Sequence, residues 1–279
     1  MHRSLIANPY ASRVTEERIR AVAQRLGAVE TLLTERRGHA TELAAGAEGD
    51  AIFVFGGDGV VNEVLNGLPS GKPLGIVSGG KTNVFARALG VPRDPAAARA
   101  ERRISLVRVN GRRFGFASGI GVDSEAVREL DTIVRSRDGR HPGSLAYARV
   151  VAQRLRRGYA PRLELENLGR ASILFVSNGP VFTYAGPLPL RLSPAARFEL
   201  GFDATAPVGI DGTAGIRLVG RVVAGRGLAG AGGVLAGHDL DRLRVVCDAP
   251  FPLQADGEDL GDVTEAVFEA ERGAIAVLV

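Results

Sequence analysis

The stretch that decides the fold reads Ala51-Ile52-Phe53-Val54-Phe55-Gly56-Gly57-Asp58-Gly59-Val60-Val61-Asn62-Glu63-Val64-Leu65-Asn66-Gly67. Ala51 to Phe55 is an unbroken apolar run, as a strand buried on both faces of a parallel sheet requires. Gly56, Gly57 and Gly59 surround a single aspartate, and Val61, Val64, Leu65 and Leu68 then recur on one helical face. A strand therefore runs through a glycine loop straight into a helix. Glycines let the backbone pass close to a phosphate, and a helix N-terminus offers free N–H groups and a positive dipole end. A generic glycine turn would look the same. Asp58 weighs against that reading, because a carboxylate inside a phosphate cradle repels the ligand unless it has a task. It could bind Mg²⁺ directly or through water, accept a proton, or simply cap a helix.

Outward from this stretch the pattern repeats. Ser4 to Ala7 is a short apolar strand followed by the turn Asn8-Pro9-Tyr10-Ala11-Ser12. Thr15 can cap a helix that carries Glu16 and Glu17 in its first turn and ends at Gly27. Val29, Thr31 and Leu33 alternate as a strand, and a helix over 39–45 follows. Leu74 to Val77 is a further strand and Asn83 to Leu89 a further helix. Strands alternating with helices imply a parallel sheet covered on both faces.

After a Pro/Arg-rich stretch from Val91 to Arg103 the pattern changes. Strands are expected over 104–109 and 113–117, about a turn at Asn110-Gly111, and helices over 124–134 and 144–157. Beyond Arg162 strands are expected near 162–167, 171–178, 197–204, 215–224, 242–249, 266–271 and 274–279. These short strands, with Gly, Pro and Asp between them, predict a mainly antiparallel β-sandwich. The fold class is thus an α/β N-terminal domain with a parallel sheet, over 1–103, and a β-sandwich domain over 104–279.

Composition bounds the function. The chain has 279 residues, 45% hydrophobic and 24% charged, a globular balance with room for two domains. The net charge of +4 fits anionic partners such as phosphates or an acidic membrane surface. With 5% aromatics and no Trp, stacking platforms are scarce, and no nucleic-acid partner is expected. Cys247 is the single cysteine, in an apolar run, and is read as a buried inert thiol. His2, His39, His141 and His238 lack metal-ligand spacing. No stretch reads as a signal peptide or a bilayer span, so a cytoplasmic protein is expected.

The sequence Gly-Gly-Asp-Gly followed by Asn-Glu-Val-Leu-Asn-Gly resembles the signature of the diacylglycerol kinase catalytic domain family, which sphingosine and ceramide kinases share. Other motifs occur in the family's order. Asn8-Pro9 is similar to its opening nucleotide loop, Thr34 with Gly38-His39-Ala40 to its second nucleotide-contacting segment, and Gly80 and Asn83 with 85–92 to its third. Gly119-Ile120-Gly121-Val122-Asp123 resembles the segment that leads into its second domain, and Asp256-Gly257-Glu258 its late acidic motif.

The resemblance implies a nucleotide domain like that of phosphofructokinases and NAD kinases, with ATP phosphates on the Gly57–Gly59 loop. The nucleotide-contacting residues carried over are Asn8, Pro9, Ser12, Thr34, Gly56, Gly57, Asp58, Gly59, Val60, Asn62, Glu63, Lys81, Thr82 and Asn83. Glu258 is implied as the base, with Asp256 its neighbour and Asp58 beside the nucleotide. A lipid hydroxyl is a poor nucleophile, so a carboxylate must take its proton as the phosphoryl group transfers. Asp256-Gly257 read alone is an ordinary polar β-turn. The implied partners are ATP, Mg²⁺, a lipid acceptor met at the membrane surface through transient peripheral association, and a second copy in a homodimer.

The sequence departs from the family at several positions. Val60 stands where threonine is usual, Lys81 where another threonine is expected, Val84 where an aspartate is common, and Ser12 where the opening loop ends in glycine. Lys81 is read as supplying phosphate charge lost elsewhere, since lysine acts well as a point charge. The stretch Phe198-Glu199-Leu200-Gly201 lacks a paired Asp-Asp-Gly that holds a structural Mg²⁺ in some members, so only Asp58 is carried over as a metal neighbour. Two other readings stay open. One is a catalytically weak nucleotide-binding regulator of the same fold, and the other an NAD-kinase-like enzyme with a soluble acceptor.

Overall fold

The structure is a computed structural model that describes residues 2–27, 30–98, 100–136, 149–151, 153–154, 158, 160 and 162–279. Four parallel strands open the chain: β1 (Arg3–Ala7), β2 (Glu30–Leu33), β3 (Ala51–Gly56) and β4 (Leu74–Ser78). They lie in the order β2-β1-β3-β4. Between them run α1 (Glu16–Leu26), α2 (His39–Gly46) and α3 (Asp58–Gly67), and α4 (Val84–Leu89) follows β4. Every residue of β3 is buried. Its alternate side chains serve two cores: Ile52 and Val54 meet Val61, Val64 and Leu65 of α3, while Phe53 and Phe55 meet Ile19 and Leu26 of α1. That is why its apolar run is continuous rather than alternating. Thr15 caps α1 by accepting from the Arg18 N–H, and Gly27 ends the helix at φ 57.

The remaining strands are β5 (Glu101–Val109), β6 (Arg112–Phe114), β7 (Ala117–Ile120), β8 (Leu163–Leu165), β9 (Gly169–Ala171), β10 (Leu174–Ser177), β11 (Thr183–Ala185), β12 (Leu188–Leu190), β13 (Phe202–Pro207), β14 (Val234–Leu240), β15 (Arg242–Ala255) and β16 (Glu258–Leu278). Helices α5 (Val122–Ser136) and α6 (Gly212–Val223) accompany them. Neighbours in this part pair antiparallel. Among the described residues the hydrogen-bonded path runs β14-β13-β10-β7-β15-β16-β4-β3-β1-β2, with β5, β6, β8 and β9 attached to it. The joint is β16, which pairs with β15 and β5 and then lies parallel to β4 at Val277–Leu74. The end of the chain thus returns to the first sheet. Phe114, Ile120, Leu174, Phe202, Leu253 and Phe268 fill the second core. Cys247 is buried at its margin, and burial, with the charge of Asp248, pushes its thiol up to about 11.

Several local expectations need correction. The segment over 215–224 is not a strand but helix α6. Its β-branched residues favour a strand, but Asp211 caps it by accepting from the Thr213 and Ala214 N–H groups, and Leu218 faces the core. The strands expected near 266–271 and 274–279 are one strand, β16, with a register shift between Glu271 and Ile275 where Gly273 adopts φ 58. A strand expected over 197–204 begins at Phe202. Strand β14 and the hairpin β11–β12 were not expected. Of the helix expected over 144–157, residues 149–151 and 153–154 are helical and the rest lie outside the described residues, as does Val29.

Candidate functional site

Three loops meet at the carboxyl ends of β1, β3 and β4, the edge where open parallel sheets place their ligands. After β1, the Asn8 N–H donates to the Phe55 carbonyl (3.0 Å), and the Asn8 side-chain oxygen accepts from Tyr10 N–H (2.9 Å). Pro9 sits inside this turn and Ser12 is exposed at its far end. The loop after β4 is stitched to both others: Arg13 N–H donates to Gly79 O (3.0 Å) and Gly79 N–H to Gly56 O (2.7 Å). Where they cross, only glycine fits at position 80. A Cβ on Gly80 would lie 2.7 Å from the Gly57 Cα. Asn83, left-handed at φ 49, closes the loop by accepting from Gly80 N–H (2.9 Å) and donating to Gly80 O (2.8 Å). This leaves Lys81 exposed and Thr82 half-buried on the loop's crest. Thr34 is buried at the end of β2, its N–H on Ala7 O (3.0 Å).

Asp58 opens α3, yet its carboxylate serves a different helix. Oδ2 accepts from Val84 N–H (3.0 Å) and Oδ1 from Phe85 N–H (3.1 Å), so it caps α4. Burial pushes this carboxyl up from its ordinary value, and the two N–H groups oppose the shift. Val60 is buried with its side chain in the space Gly56 leaves, since a Cβ on Gly56 would lie 2.3 Å from Val60 Cγ1. The side chain of Val60 therefore faces the core, and only its backbone belongs to the loop. Glu63 also points away from the loop: its carboxylate accepts from Ala40 N–H (3.1 Å) at the start of α2, and its carbonyl accepts from the Thr41 hydroxyl (2.8 Å). Gly67 lets α2 approach, because a Cβ there would lie 2.0 Å from Thr41 O.

Asn62 is the hinge between this loop and the late acidic motif. Asp256 and Gly257, at φ 50 and 80, form the two-residue turn that joins β15 to β16, the conformation for which Asp-Gly is favoured. Asp256 Oδ2 accepts from Asn62 Nδ2 (2.8 Å) and Gly115 N–H (2.6 Å), and Oδ1 from Phe116 N–H (2.9 Å) and Ala117 N–H (3.2 Å). Burial raises the Asp256 carboxyl and these four donors work against the rise. Asn62 Oδ1 accepts from Arg112 Nη2 (3.1 Å), and the same guanidinium nitrogen is hydrogen-bonded to Glu258 Oε2. The other oxygen of Glu258 faces Arg37 Nη2 at 3.3 Å. Glu258 is thus held between two arginines, with its side chain 19% exposed. Behind the turn, Gln254 accepts from Gly257 N–H (3.0 Å) and donates to buried Asp123.

The structure therefore brings the sequence candidates into two adjoining groups. Asn8, Pro9, Gly56–Gly59 and Gly80–Asn83 form the loop cluster, with Thr34 at the neighbouring strand end. Asn62, Asp256 and Glu258 form the second group one helical turn along α3, about 6 Å from its first residue. Arg37 and Arg112 are the residues that sequence reasoning missed. Arg37 directly precedes the Gly38-His39-Ala40 segment, which was the available signal. Arg112 follows the Asn110-Gly111 turn, and no motif in the sequence marks it. Asn66, in the motif but not among the candidates, accepts from Arg113 N–H (2.9 Å) and ties α3 to the β5–β6 hairpin.

These residues fit a nucleotide. The crossing at Gly57 and Gly80 exposes backbone where a side chain would block it, and α3 begins there. Among the described residues no group of three or more His, Cys, Asp or Glu side chains is placed to hold a metal. Mg²⁺ needs no such cage, since it is held by one or two carboxylates together with substrate phosphates, and Asp58 is the carboxylate at this loop. Glu199 is engaged elsewhere, paired with Arg102 at 2.6 Å.

Residues 2–109 match the family model of the diacylglycerol kinase catalytic domain. The chain is 40% identical over 119 residues to a diacylglycerol kinase of Bacillus subtilis (strain 168), covering 39% of this chain and 38% of that protein. The match thus spans under two fifths of that relative's length. A crystal structure of a diacylglycerol kinase from Bacillus anthracis superposes with a TM-score of 0.70 at 21% identity, over 99% of this chain and 96% of that one. An NAD kinase from Archaeoglobus fulgidus in complex with ATP superposes at 0.54 and 14% identity, over 99% and 93%. Both likenesses show the fold.

Proposed function

We propose that this chain, whose residues 2–109 belong to the diacylglycerol kinase catalytic domain family, is an ATP-dependent kinase of a lipid hydroxyl. One observation carries the reading: Asp256 is hydrogen-bonded to Asn62 of the same helix that begins at the glycine loop. In this reading Glu258, the next acid along, is the group that serves phosphates held at that loop.

Each residue then has a role. Backbone N–H groups of Gly57 to Gly59 hold the phosphates, and Lys81 adds a positive charge from the facing loop. Bound Mg-ATP supplies the phosphoryl group, and Asp58 neighbours the metal. Glu258 accepts the proton of the acceptor hydroxyl as its oxygen bonds to phosphorus and the bond to the ADP leaving group breaks. Arg37 and Arg112 fix the orientation of Glu258. Asp256, with both oxygens occupied by donors, positions the turn. The domain split is at residue 103, with β16 returning to the nucleotide side.

The candidate place for an acyl chain is an open depression of about 400 Å³ lined by Val109, Leu253, Leu260 and Val263 together with Asn110, Arg112 and Asp259. Arg112 links it to Glu258. The protein acts on its acceptor at a membrane surface, and no helix of the described residues is long and apolar enough to cross a membrane. Diacylglycerol and related lipids with a free hydroxyl are the candidate acceptors.

The test is a transfer assay with γ-labelled ATP, Mg²⁺ and a panel of micellar lipids. Label in one lipid supports the reading and names the acceptor. Label in a soluble dinucleotide instead selects the NAD-kinase-like reading. ATP binding without transfer to any acceptor selects a nucleotide-binding regulator, for which the burial of Val60 and the full engagement of Asp58 would be the reasons.

A further inference from the structure

Glu258 sits on an edge. Ala255 stands opposite it across the β15–β16 hairpin, and Gln254 stands opposite Asp259 one pair further from the turn. From Glu258 to Val263, β16 pairs with β15 alone among the described residues, because β5 joins it only from Phe268 onward. Leu260 and Val263 of this edge line the open depression described above. The backbone that carries Glu258 therefore has a strand on one side only.

Helix α5 supplies the missing support. Gln254 and Asp259, directly opposite each other, project from the same face of the hairpin, and both meet α5. Gln254 donates to Asp123, buried in the first turn of the helix. Further along α5, Arg128 grips Asp259 with a fork: Nε donates to Oδ2 (2.9 Å) and Nη2 to Oδ1 (3.0 Å). Its remaining nitrogen, Nη1, donates to Asp262 Oδ1 (2.6 Å).

The strand is irregular in the way this grip requires. Three steps of β16, from Asp259 to Asp262, lie opposite two steps of β15, from Gln254 to Pro252, and Gly261 adopts φ 90 within that bulge. In a regular strand Asp262 would face away from Asp259, and the extra residue brings it back to the same face. The Gly261 N–H also donates to Asp259 Oδ1 (3.0 Å). A single exposed ion pair fixes little, but a bidentate fork extended to a second carboxylate, with Asp259 only 22% exposed, holds its geometry.

We propose that Arg128 is a positioning residue for phosphoryl transfer: by clamping Asp259 it fixes the edge of β16, and with it Glu258, against the acceptor hydroxyl. The role rests on the lipid-kinase reading. Arg37 and Arg112 hold the carboxylate of Glu258, whereas Arg128 holds the backbone behind it. Neighbouring Cα atoms are only ~3.8 Å apart, so a displacement of Asp259 passes directly to Glu258. A misplacement of about 1 Å at a reacting group can cost about a hundredfold in rate.

The experiment is steady-state transfer from ATP to the panel lipid that wild type labels, with kcat and both KM values determined per folded molecule of the full chain. Arg128→Gln, which has neither the charge nor the fork, should lose about tenfold or more in kcat while KM for ATP stays as it was. Arg128→Lys keeps the charge without the fork and should recover part of that loss. Asp259→Asn should resemble Arg128→Gln, and the double variant should cost no more than either single one, since both break the same contact. A kcat for Arg128→Gln within about twofold of wild type overturns the proposal. So does a loss shared by kcat and KM for ATP, or costs that add in the double variant, since either would make Arg128 a general support of the fold. Should Arg128→Gln not fold, Arg128→Lys carries the same comparison. No transfer by wild type to any lipid removes the kinase reading and this role with it, whereas transfer that Arg128→Gln leaves intact removes the role alone.

Discussion

Replacing Asp256 separates holding the site together from doing its chemistry. The carboxylate accepts from four donors, at 2.8 Å from Asn62, 2.6 Å from Gly115, 2.9 Å from Phe116 and 3.2 Å from Ala117. Stranding a buried donor costs about 1–3 kcal/mol. The turn is half-open to water, so the low end applies, and Asp256→Ala should cost about 4 kcal/mol. That is a large share of the roughly 5–15 kcal/mol that keeps a domain folded. Asp256→Asn keeps one acceptor oxygen and turns an NH₂ group toward two of the donors, so it should cost about half as much, roughly 2 kcal/mol. Urea unfolding at neutral pH reads the stability, and transfer rate per folded molecule reads the chemistry. A positioning role predicts that folded Asp256→Asn keeps phosphoryl transfer within about tenfold of wild type, well short of the loss typical of a missing acid or base. Stability within about 0.5 kcal/mol of wild type, the scale of an ordinary surface change, with transfer abolished, would refute the reasoning and make Asp256 a group that acts on the reacting atoms.

Gly80→Ala should weaken ATP binding by about tenfold or more in calorimetry, because its Cβ would meet Gly57 backbone at 2.7 Å, and backbone cannot give way as the end of a side chain can. Unchanged affinity would mean that the crossing of these loops is not the cradle. Val60→Thr should lower stability by about 1 kcal/mol by burying a hydroxyl against Gly56, and leave ATP affinity as it was; tighter ATP binding would show that the hydroxyl reaches the nucleotide. Glu271 pins β5 and β6 through Arg108 (2.8 Å) and Arg113 (2.7 Å), and although burial pushes its carboxyl up, these bonds outweigh it and leave it below the usual range. A depressed folded value means stability that is full above the ordinary Glu value of about 4.3 and lost as pH falls through the folded one. The stability gap between wild type and Glu271→Gln should therefore be constant near neutral pH and close below about 4; a gap that persists in acid would assign the loss to packing.

The first sheet was legible because each of its residues answers to one local rule. An unbroken apolar run such as Ala51 to Phe55 has no other comfortable place, and Thr15 and Gly27 mark a helix by side chain and φ alone. Segment 215–224 was misread because Ile216, Val219, Val222 and Val223 favour a strand by type, whereas the cap at Asp211 and the buried Leu218 decide for a helix. Separate strands were expected over 266–271 and 274–279, but β5 pairs with both sides of Gly273, and only that tertiary pairing shows one strand. At the site, the motif located the helix correctly yet did not reveal the division of work within it: Asn62 holds Asp256, Glu63 caps α2, and Val60 fills the space above Gly56. Arg37 and Arg112 could not be found by spacing, since they lie 221 and 146 positions from the acid they flank and meet it only through the fold.

The measurement that bears most directly on the account is single-turnover phosphoryl transfer by Glu258→Gln, with ATP affinity determined alongside. The account predicts a fall in rate of about a hundredfold or more with ATP affinity unchanged, since glutamine keeps the shape and cannot take the proton. A rate within threefold of wild type would contradict it, because the acid between Arg37 and Arg112 would then have no part in the chemistry.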